Sequence, residues 1–422
     1  MKHILLLPLL LLCIKMLGQD QVSGKVVSEK GDPLPGATVF IPNTSIGTVA
    51  DHNGEFTLSK LPKGIFKVAA SFVNFTTGLK TVPKALRSTR LIIRLKPVEA
   101  ELKEVIIRKY DKDGWEKWGT LFSNTFIGES VYAQYCKITN TQAVHFVHNQ
   151  QSGLLQAFAD EPLIIENRAL GYKITLELND FSYDLNRNEV DYQVYSFFTA
   201  MDGKRDEMEQ WEKNRSDVYD LSLMRFMRRL YAGDYAQDGF EVRLIERKPN
   251  LEKLRIQELY KASYIKLKTA NSGMKEKNII KAVEKSYPRD SLRYYRKILQ
   301  QEDKVKRFHD ELLPIDSFTS KTDSGTVIFF FNETLQVTHK KLKEPVEYYN
   351  YRNRLNENNV LDKSSVQQQL NSLPPVTELT LTQQIPVEIN ENGYFNNIDL
   401  FINGFWGWWE KLATKLPYEY YP

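Results

Sequence analysis

VSGKVVSEKGDPLPGATVFIPNTSIGTVADHNGEFTLSKLPKGIFKVAASFVNF, residues 22–75, decides the fold of the N-terminal part of the chain. Val22, Gly24 and Val26 alternate with polar residues, and Thr38 to Ile41 is β-branched and aromatic. Phe56 and Leu58 fall on one face, and Phe66, Val68, Ala70 and Phe72 alternate with Lys67, Ala69 and Ser71. Gly31-Asp32-Pro33, Pro35-Gly36 and Asp51-His52-Asn53-Gly54 are turn signals between these runs. Period-two alternation in short runs marks half-buried strands. Many such strands without a helical window predict a β-sandwich, which Leu91, Ile93 and Leu95 extend. A core of this size is small, so stability near the marginal end is expected if the sandwich stands alone.

Upstream, Lys2 gives a positive start and Ile4 to Ile14 is apolar except for Pro8. With Gly18 as a small residue at the cut, this is the arrangement of a signal peptide over 1–18, leaving Gln19 first. A lipid anchor on Cys13 is the poorer reading, because Leu12 precedes it instead of a small residue. Export to the periplasm or the periplasmic face of the outer membrane is the expectation. Cys136 is the only cysteine after the leader, so no intrachain disulfide is expected. Its neighbours in VYAQYCKIT suggest a buried structural thiol. No stretch after the leader approaches the roughly eighteen apolar residues of a helical membrane span.

Downstream, 97–119 reads as a connector and 120–422 as a mixed α+β region, with room for two subdomains. The fold class is thus mainly β with an α+β C-terminal region: a transthyretin-like (prealbumin-like) sandwich over 19–96 and a larger mixed domain. Tyr172, Ile174, Leu176 and Leu178 predict a strand, with Tyr192 to Phe198 as its partner. Apolar residues at helical spacing predict one helix over Asp206 to Tyr231, ended by Gly233. Gly239 to Leu244 and Ala262 to Lys268 read as strands, Asp290 to Leu313 as a helix before Pro314. Val327 to Phe331 reads as a strand buried on both faces, and Ile398 to Leu416 as an aromatic-rich closing helix.

Few residues suggest chemistry. His52 and Glu55 have the spacing of two zinc ligands, but no third ligand is indicated and the pair sits on a turn. His145 and His148 lie in a strand-like run, which places them on opposite faces. No nucleophile elbow and no phosphate-cradling glycine loop is present. No catalytic residue, cofactor or metal ligand is therefore assigned. Arg225, Arg228 and Arg229, at the end of the 206–231 helix, are candidates for contact with an anion or a partner. Phe401, Phe405, Trp408 and Trp409, on the apolar stripe of the closing helix, are candidates for a partner or membrane surface. A net charge of +4 is too small to point to nucleic acid. It is uneven, with sixteen Lys and Arg against nine Asp and Glu from Leu251 to Glu311.

Gly24-Lys25-Val26, Pro35-Gly36-Ala37-Thr38-Val39, Gly47-Thr48, Asp51 with Gly54-Glu55-Phe56, and Leu61-Pro62-Lys63-Gly64 carry a resemblance. They resemble the carboxypeptidase-regulatory-like domain of Bacteroidota proteins, and Leu102 to Ile107 looks like the Leu-x-Glu-Val-Val-Val-type segment that often follows it. The resemblance implies a transthyretin-like, non-catalytic accessory module, so no peptidase chemistry transfers to His52 and Glu55. FADEPLIIENRALGYKITLELNDF, WEKNRSDVYDLSLMRFMRRLYAGDYAQDGFEV and GFWGWWEKLATKLPYEY resemble, less specifically, Bacteroidota proteins sharing that module. The expected function is a cell-envelope binding or scaffold protein with an envelope protein partner, no nucleic acid, and peripheral membrane contact through the closing helix. An envelope hydrolase with a site assembled from distant residues, or a small outer-membrane barrel behind a periplasmic module, is the alternative.

Overall fold

The computed structural model describes residues 21–83, 89–98, 110–322, 326–355, 373–395 and 399–422. The leader, the start at Gln19 and the 102–107 segment lie outside the described residues. Two compact units divide the chain. The first holds residues 1–232 with 388–396 and 408–422, and the second holds 233–387 with 397–407.

In the first unit, β1 (Val22–Ser28), β2 (Thr38–Phe40), β3 (Gly47–Val49), β4 (Glu55–Leu58), β5 (Phe66–Ser71), β6 (Gly78–Val82) and β7 (Leu91–Leu95) build the sandwich. One sheet runs β4-β1-β7 and the other β3-β2-β5-β6. β1 is antiparallel to β4 and parallel to β7. The alternation works as read: Phe56 and Leu58 of β4, and Leu91, Ile93 and Leu95 of β7, turn inward onto Val26, Val39, Phe66 and Val68. Each such apolar side chain contributes about 1.5–3 kcal/mol on burial. Gly24 is required by close approach, since a Cβ there would lie 2.5 Å from the Leu91 carbonyl oxygen and from the Phe56 ring.

The sandwich core also contains Tyr394, with Tyr418 packed against it. Asn390 Nδ2 donates to the Lys63 carbonyl at 2.7 Å across 327 residues of sequence. Both tyrosines belong to segments that rejoin this unit after the chain has passed through residues 233–387 of the other one.

Next come α1 (Gly114–Ile127), β8 (Cys136–Ile138), β9 (Val144–Asn149), β10 (Leu154–Ala159), β11 (Leu163–Asn167), β12 (Tyr172–Asp184) and β13 (Glu189–Ala200). The long β12–β13 pair has the register expected of the two alternating runs, with Ile174 opposite Phe198 and Leu178 opposite Val194. Along its other edge, β12 pairs β11 through residues 172–176 and β10 through 182–184. α1 packs on β9, and Phe122 meets Phe126, Phe146 and Phe181 edge-on at 4.9–5.5 Å. The sandwich is hydrogen-bonded to this sheet: Asn43 N–H donates to Ser196 O at 2.7 Å and Phe198 N–H to Thr44 O at 2.9 Å.

Where one helix is expected over 206–231, there are two, α2 (Arg205–Asp220) and α3 (Leu223–Ala232). Ser222 breaks the run, its Oγ accepting from Arg225 N–H at 3.2 Å. Glu410 Oε1 accepts from Leu223 N–H at 2.8 Å, so another segment supplies a second cap.

The second unit contains α4 (Tyr235–Asp238), β14 (Phe240–Pro249), α5 (Leu251–Ala270), α6 (Glu276–Lys285), α7 (Arg289–Leu299), β15 (Lys304–Leu312), β16 (Thr319–Lys321), β17 (Val327–Phe329), β18 (Thr334–His339), α8 (Val346–Leu355) and β19 (Val376–Leu381). β20 (Val387–Ile389), β21 (Leu400–Gly404) and α9 (Phe405–Trp409) follow. An antiparallel sheet runs β15-β14-β18-β19-β21, and α5 to α7 form an arm between β14 and β15.

Four expectations fail here. Ala262 to Lys268 is the middle of helix α5, not a strand: Ile256, Leu259, Tyr260, Ser263 and Leu267 recur at helical spacing on its sheltered face, and Asn250 Oδ1 caps the start by accepting from Lys253 N–H. The helix expected over 290–313 stops at Leu299, and 304–312 becomes a strand because β14 offers an unpaired edge. The closing helix expected over 398–416 is instead β21 on β19, then the five-residue α9, then turns. Val327 to Phe331 is buried on one face, while Ile328 and Phe330 are half-buried. The chain is mostly β-sheet with an N-terminal β domain and a mixed remainder, and the sheets are open, so the barrel alternative does not hold for the described residues.

Candidate binding cleft

The turn Asn167-Arg168-Ala169-Leu170-Gly171 joins β11 to β12 and anchors the site. Asn167 is fully buried: its Oδ1 accepts from the N–H groups of Ala169 and Leu170, and its Nδ2 donates to the carbonyls of Leu412 and Ala413 at 3.1 and 3.2 Å. Gly171 has φ +68, and a Cβ there would sit 2.3 Å from the Trp211 indole, so both the turn and the packing demand glycine.

Helix α2 docks on this turn through its side chains. Trp211 Nε1 donates to Arg168 O at 2.8 Å, Asn214 Nδ2 to Ala169 O at 2.7 Å, and Arg215 Nε to Leu170 O at 2.7 Å. The Arg215 guanidinium lies 4.2 Å over the Tyr172 ring. Burial pushes the Tyr172 hydroxyl up to about 12, with Arg215 acting against it. Three consecutive carbonyls are thus satisfied by one helix face, which fixes the α2 N-terminus above the turn.

Beside that N-terminus opens a cleft of about 490 Å³. Tyr132 and Tyr135 line it, as do Asp202, Asp206, Glu207, Gln210 and the edge of Trp211. Glu207 Oε2 accepts from Lys204 N–H at 2.8 Å, which caps the start of α2. Arg168, at the rim, is engaged by Glu166 at 2.8 Å. Two tyrosine rings and three carboxylates therefore face one space with its one lining cation already paired. Such walls attract a positive group, by the ring faces and by charge.

The residues singled out in the sequence go elsewhere. Arg225 lies in the first turn of α3 and pairs with Asp220 at 2.7 Å. Arg228 is 7 % exposed, and its guanidinium donates to the carbonyls of Asn392, Tyr418 and Tyr420 at 2.8–3.1 Å, with the Tyr421 ring 4.2 Å away. Arg229, in the last turn of α3, is half-buried. The three therefore do not form one exposed cluster at a helix end. Phe405, Trp408 and Trp409 are buried, and only Phe401, on the β21 edge strand, is exposed. Phe405 meets Tyr348 at 5.3 Å and Trp409 meets Tyr132 at 6.3 Å. The stripe read as one helical surface is split between a strand and a short helix, and no continuous apolar face is left on it for a partner or membrane.

His52 lies on an exposed turn and Glu55 opens β4 after it, with Asp51 Oδ1 accepting from Asn53 and Glu55 N–H at 2.8 Å and Arg90 pairing with Glu55. His145 bonds Asp160 at 2.6 Å while His148 stands edge-on to Trp118, so the strand separates them. Cys136 is half-buried in β8, and burial pushes its thiol up to about 12, which keeps it protonated and unreactive near neutral pH. Among the described residues no three His, Cys, Asp or Glu side chains gather as a metal site.

The cleft itself was not read from the sequence. Its walls come from three stretches, 131–135, 168–169 and 201–214, that no spacing connects. The local signal was the Asn-Arg-Ala-Leu-Gly turn, where a polar side chain and a glycine interrupt two apolar strands.

Residues 22–107 match the family model described as CarboxypepD_reg-like domain. The chain therefore carries that β-domain at its N-terminal end, and such a domain points to an accessory or binding role. No curated protein matches the chain.

Proposed function

We propose that this chain is a non-catalytic, exported binding protein of the cell envelope, in which the CarboxypepD_reg-like sandwich supports a cleft that takes a basic segment of a partner protein. The cleft carries the reading. Asp202, Asp206 and Glu207 share the cleft with Tyr132 and Tyr135, and the helix that carries Asp206 and Glu207 is pinned to backbone carbonyls, so that wall is set before a ligand arrives. A volume of about 490 Å³ suits one or two side chains. The lysine start and apolar run of residues 2–14 support export.

Calorimetric titration with a short capped peptide containing Lys and Arg tests it. The wild-type protein should bind, and Asp202→Asn with Asp206→Asn should weaken binding roughly tenfold with an unchanged melting midpoint. Equal binding by the double variant, or no binding by the wild type, removes the cleft from this role.

A further inference from the structure

Between β14 and β15 the chain leaves its sheet for the three helices α5 to α7 and returns. Residues 251–299 of this arm hold thirteen Lys and Arg against five Asp and Glu, a far larger imbalance than that of the whole chain. The arm has its own small core. Ile256, Ile279, Val283 and Ile298 are buried, and Tyr260, Tyr287 and Tyr295 meet one another at 5.4–6.1 Å. Ser263 Oγ and Tyr287 Oη bond at 2.5 Å.

On α7 the cations are ordered. Ile298 is buried and Tyr295 half-buried toward the arm. Arg289, Arg293, Arg296, Lys297 and Gln300 are exposed at spacings of three and four, which puts them on one face of the helix. With Leu292 they line a shallow depression of about 370 Å³. Arg296 is held by Glu284 at 3.1 Å. Asp290, in the first turn, stands three residues before Arg293 and seven before Lys297, at the edge of this face. The result is a row of four positive groups about 16 Å long, with Asp290 as the one acid on its flank.

We infer that this face of α7 rests on an anionic phospholipid surface, making the arm a peripheral membrane contact. A row of cations along a helix meets a plane of phosphates, and each such charge near the surface adds its own attraction. The choice of lipid over nucleic acid follows from the rest of the arm. Its tyrosines at 260, 287 and 295 pack against one another, one pair stacked and two edge-on, and the exposed Tyr294 donates to Glu252, so the arm has no row of open rings for unpaired bases. What it leaves exposed is mainly aliphatic: Leu251, Leu254, Ile265, Met274 and Ile280 are 39–75 % accessible, and such side chains enter the acyl boundary. The contact expected of the closing aromatic segment thus moves to a different part of the chain, and it stands independently of the cleft.

Flotation of the full chain with vesicles tests this. The protein should float with phosphatidylglycerol–phosphatidylcholine vesicles, not with phosphatidylcholine alone, and should be released by high salt. The triple variant Arg289→Gln, Arg293→Gln and Lys297→Gln spares the Arg296–Glu284 pair and should lower partitioning on the order of a hundredfold with an unchanged thermal midpoint. Lys261→Gln, Lys266→Gln and Lys268→Gln remove the same charge from α5 and should cost only a few-fold. Three results overturn the inference: no flotation of the wild type, equal losses in the two triple variants, or tighter binding to a single-stranded oligonucleotide than to the anionic vesicles.

Discussion

Tyr394 and Tyr418 pack edge to face beside the sandwich core, ring centroids 5.0 Å apart and planes at 72°. Neither belongs to the seven strands around them. Burial pushes the Tyr394 hydroxyl up to about 12 and raises that of Tyr418 further. The sandwich is thus closed by rings supplied from elsewhere in the chain. Tyr394→Ala should cost about 3–5 kcal/mol in a urea melt, the usual range for a large buried aromatic. A fragment covering residues 19–98 should be unfolded or far less stable by circular dichroism than the same segment in the whole chain. A fragment melting at the same midpoint as the full protein would show that the two rings are dispensable.

Arg228 ties three backbone carbonyls from two segments to α3. Arg228→Ala leaves those part-buried acceptors without this donor and should destabilise the protein by about 3 kcal/mol. Arg228→Lys should recover only part of that, because an ammonium cannot reproduce the planar fork. Denaturant midpoints of the two variants decide. An unchanged midpoint in both would return Arg228 to the role of a surface contact residue.

Gly54 has φ +74, and a Cβ would lie 2.6 Å from the Val26 carbonyl oxygen. Gly54→Val therefore combines backbone strain with a clash and should cost at least about 2 kcal/mol. Cys136→Ala removes a small half-buried group and should cost about 1 kcal/mol or less. Melting the two side by side ranks them, and a larger loss at Cys136 would contradict this order.

Glu177 is 9 % exposed on β12, and desolvation raises its pKa, with hydrogen bonds from Ser71 and Thr77 acting against the rise. A carboxyl whose folded pKa exceeds its unfolded value binds protons more tightly when folded. Its ionisation therefore destabilises the fold as pH rises from the unfolded value through the folded one, and the cost is relieved below both. Glu177→Gln should melt higher than the wild type near neutral pH, with the gap closing as pH falls through the acid range. A gap that is constant with pH would assign the effect to something other than this proton.

The parts legible in the sequence were those whose partners are local or periodic. Phe56 with Leu58, and Leu91 with Ile93 and Leu95, show their burial by alternation alone, and so do Ile174 and Phe198 across the β12–β13 pair. Lys304 to Leu312 is charged and almost wholly exposed, so no apolar period marks it, and β14 alone makes it a strand. Ile265 and Leu267 alternate with lysines as a strand would, yet α5 is a helix whose inward face is set by Ile256, Tyr260 and Ser263. Phe401 to Trp409 shows an apolar helical period, and β19 overrides it by pairing with the first part. The cleft stayed hidden because it depends on where α2 is docked, and that is fixed by side-chain bonds to the carbonyls of residues 168–170.

The return of residues 388–396 and 408–422 to the first unit has a consequence in time. The sandwich strands leave the ribosome first, but Asn390 and Lys63, which join across it, are 327 residues apart. At about 5–20 residues per second, roughly 15 to 65 seconds separate the synthesis of these two partners. Through that interval the early strands lack their closing rings, and if the 19–98 fragment is as unstable as predicted above they remain a loose, reversible assembly. Such a chain is easily kept unfolded by a holding chaperone, and its commitment to the native state waits for its latest-made residues.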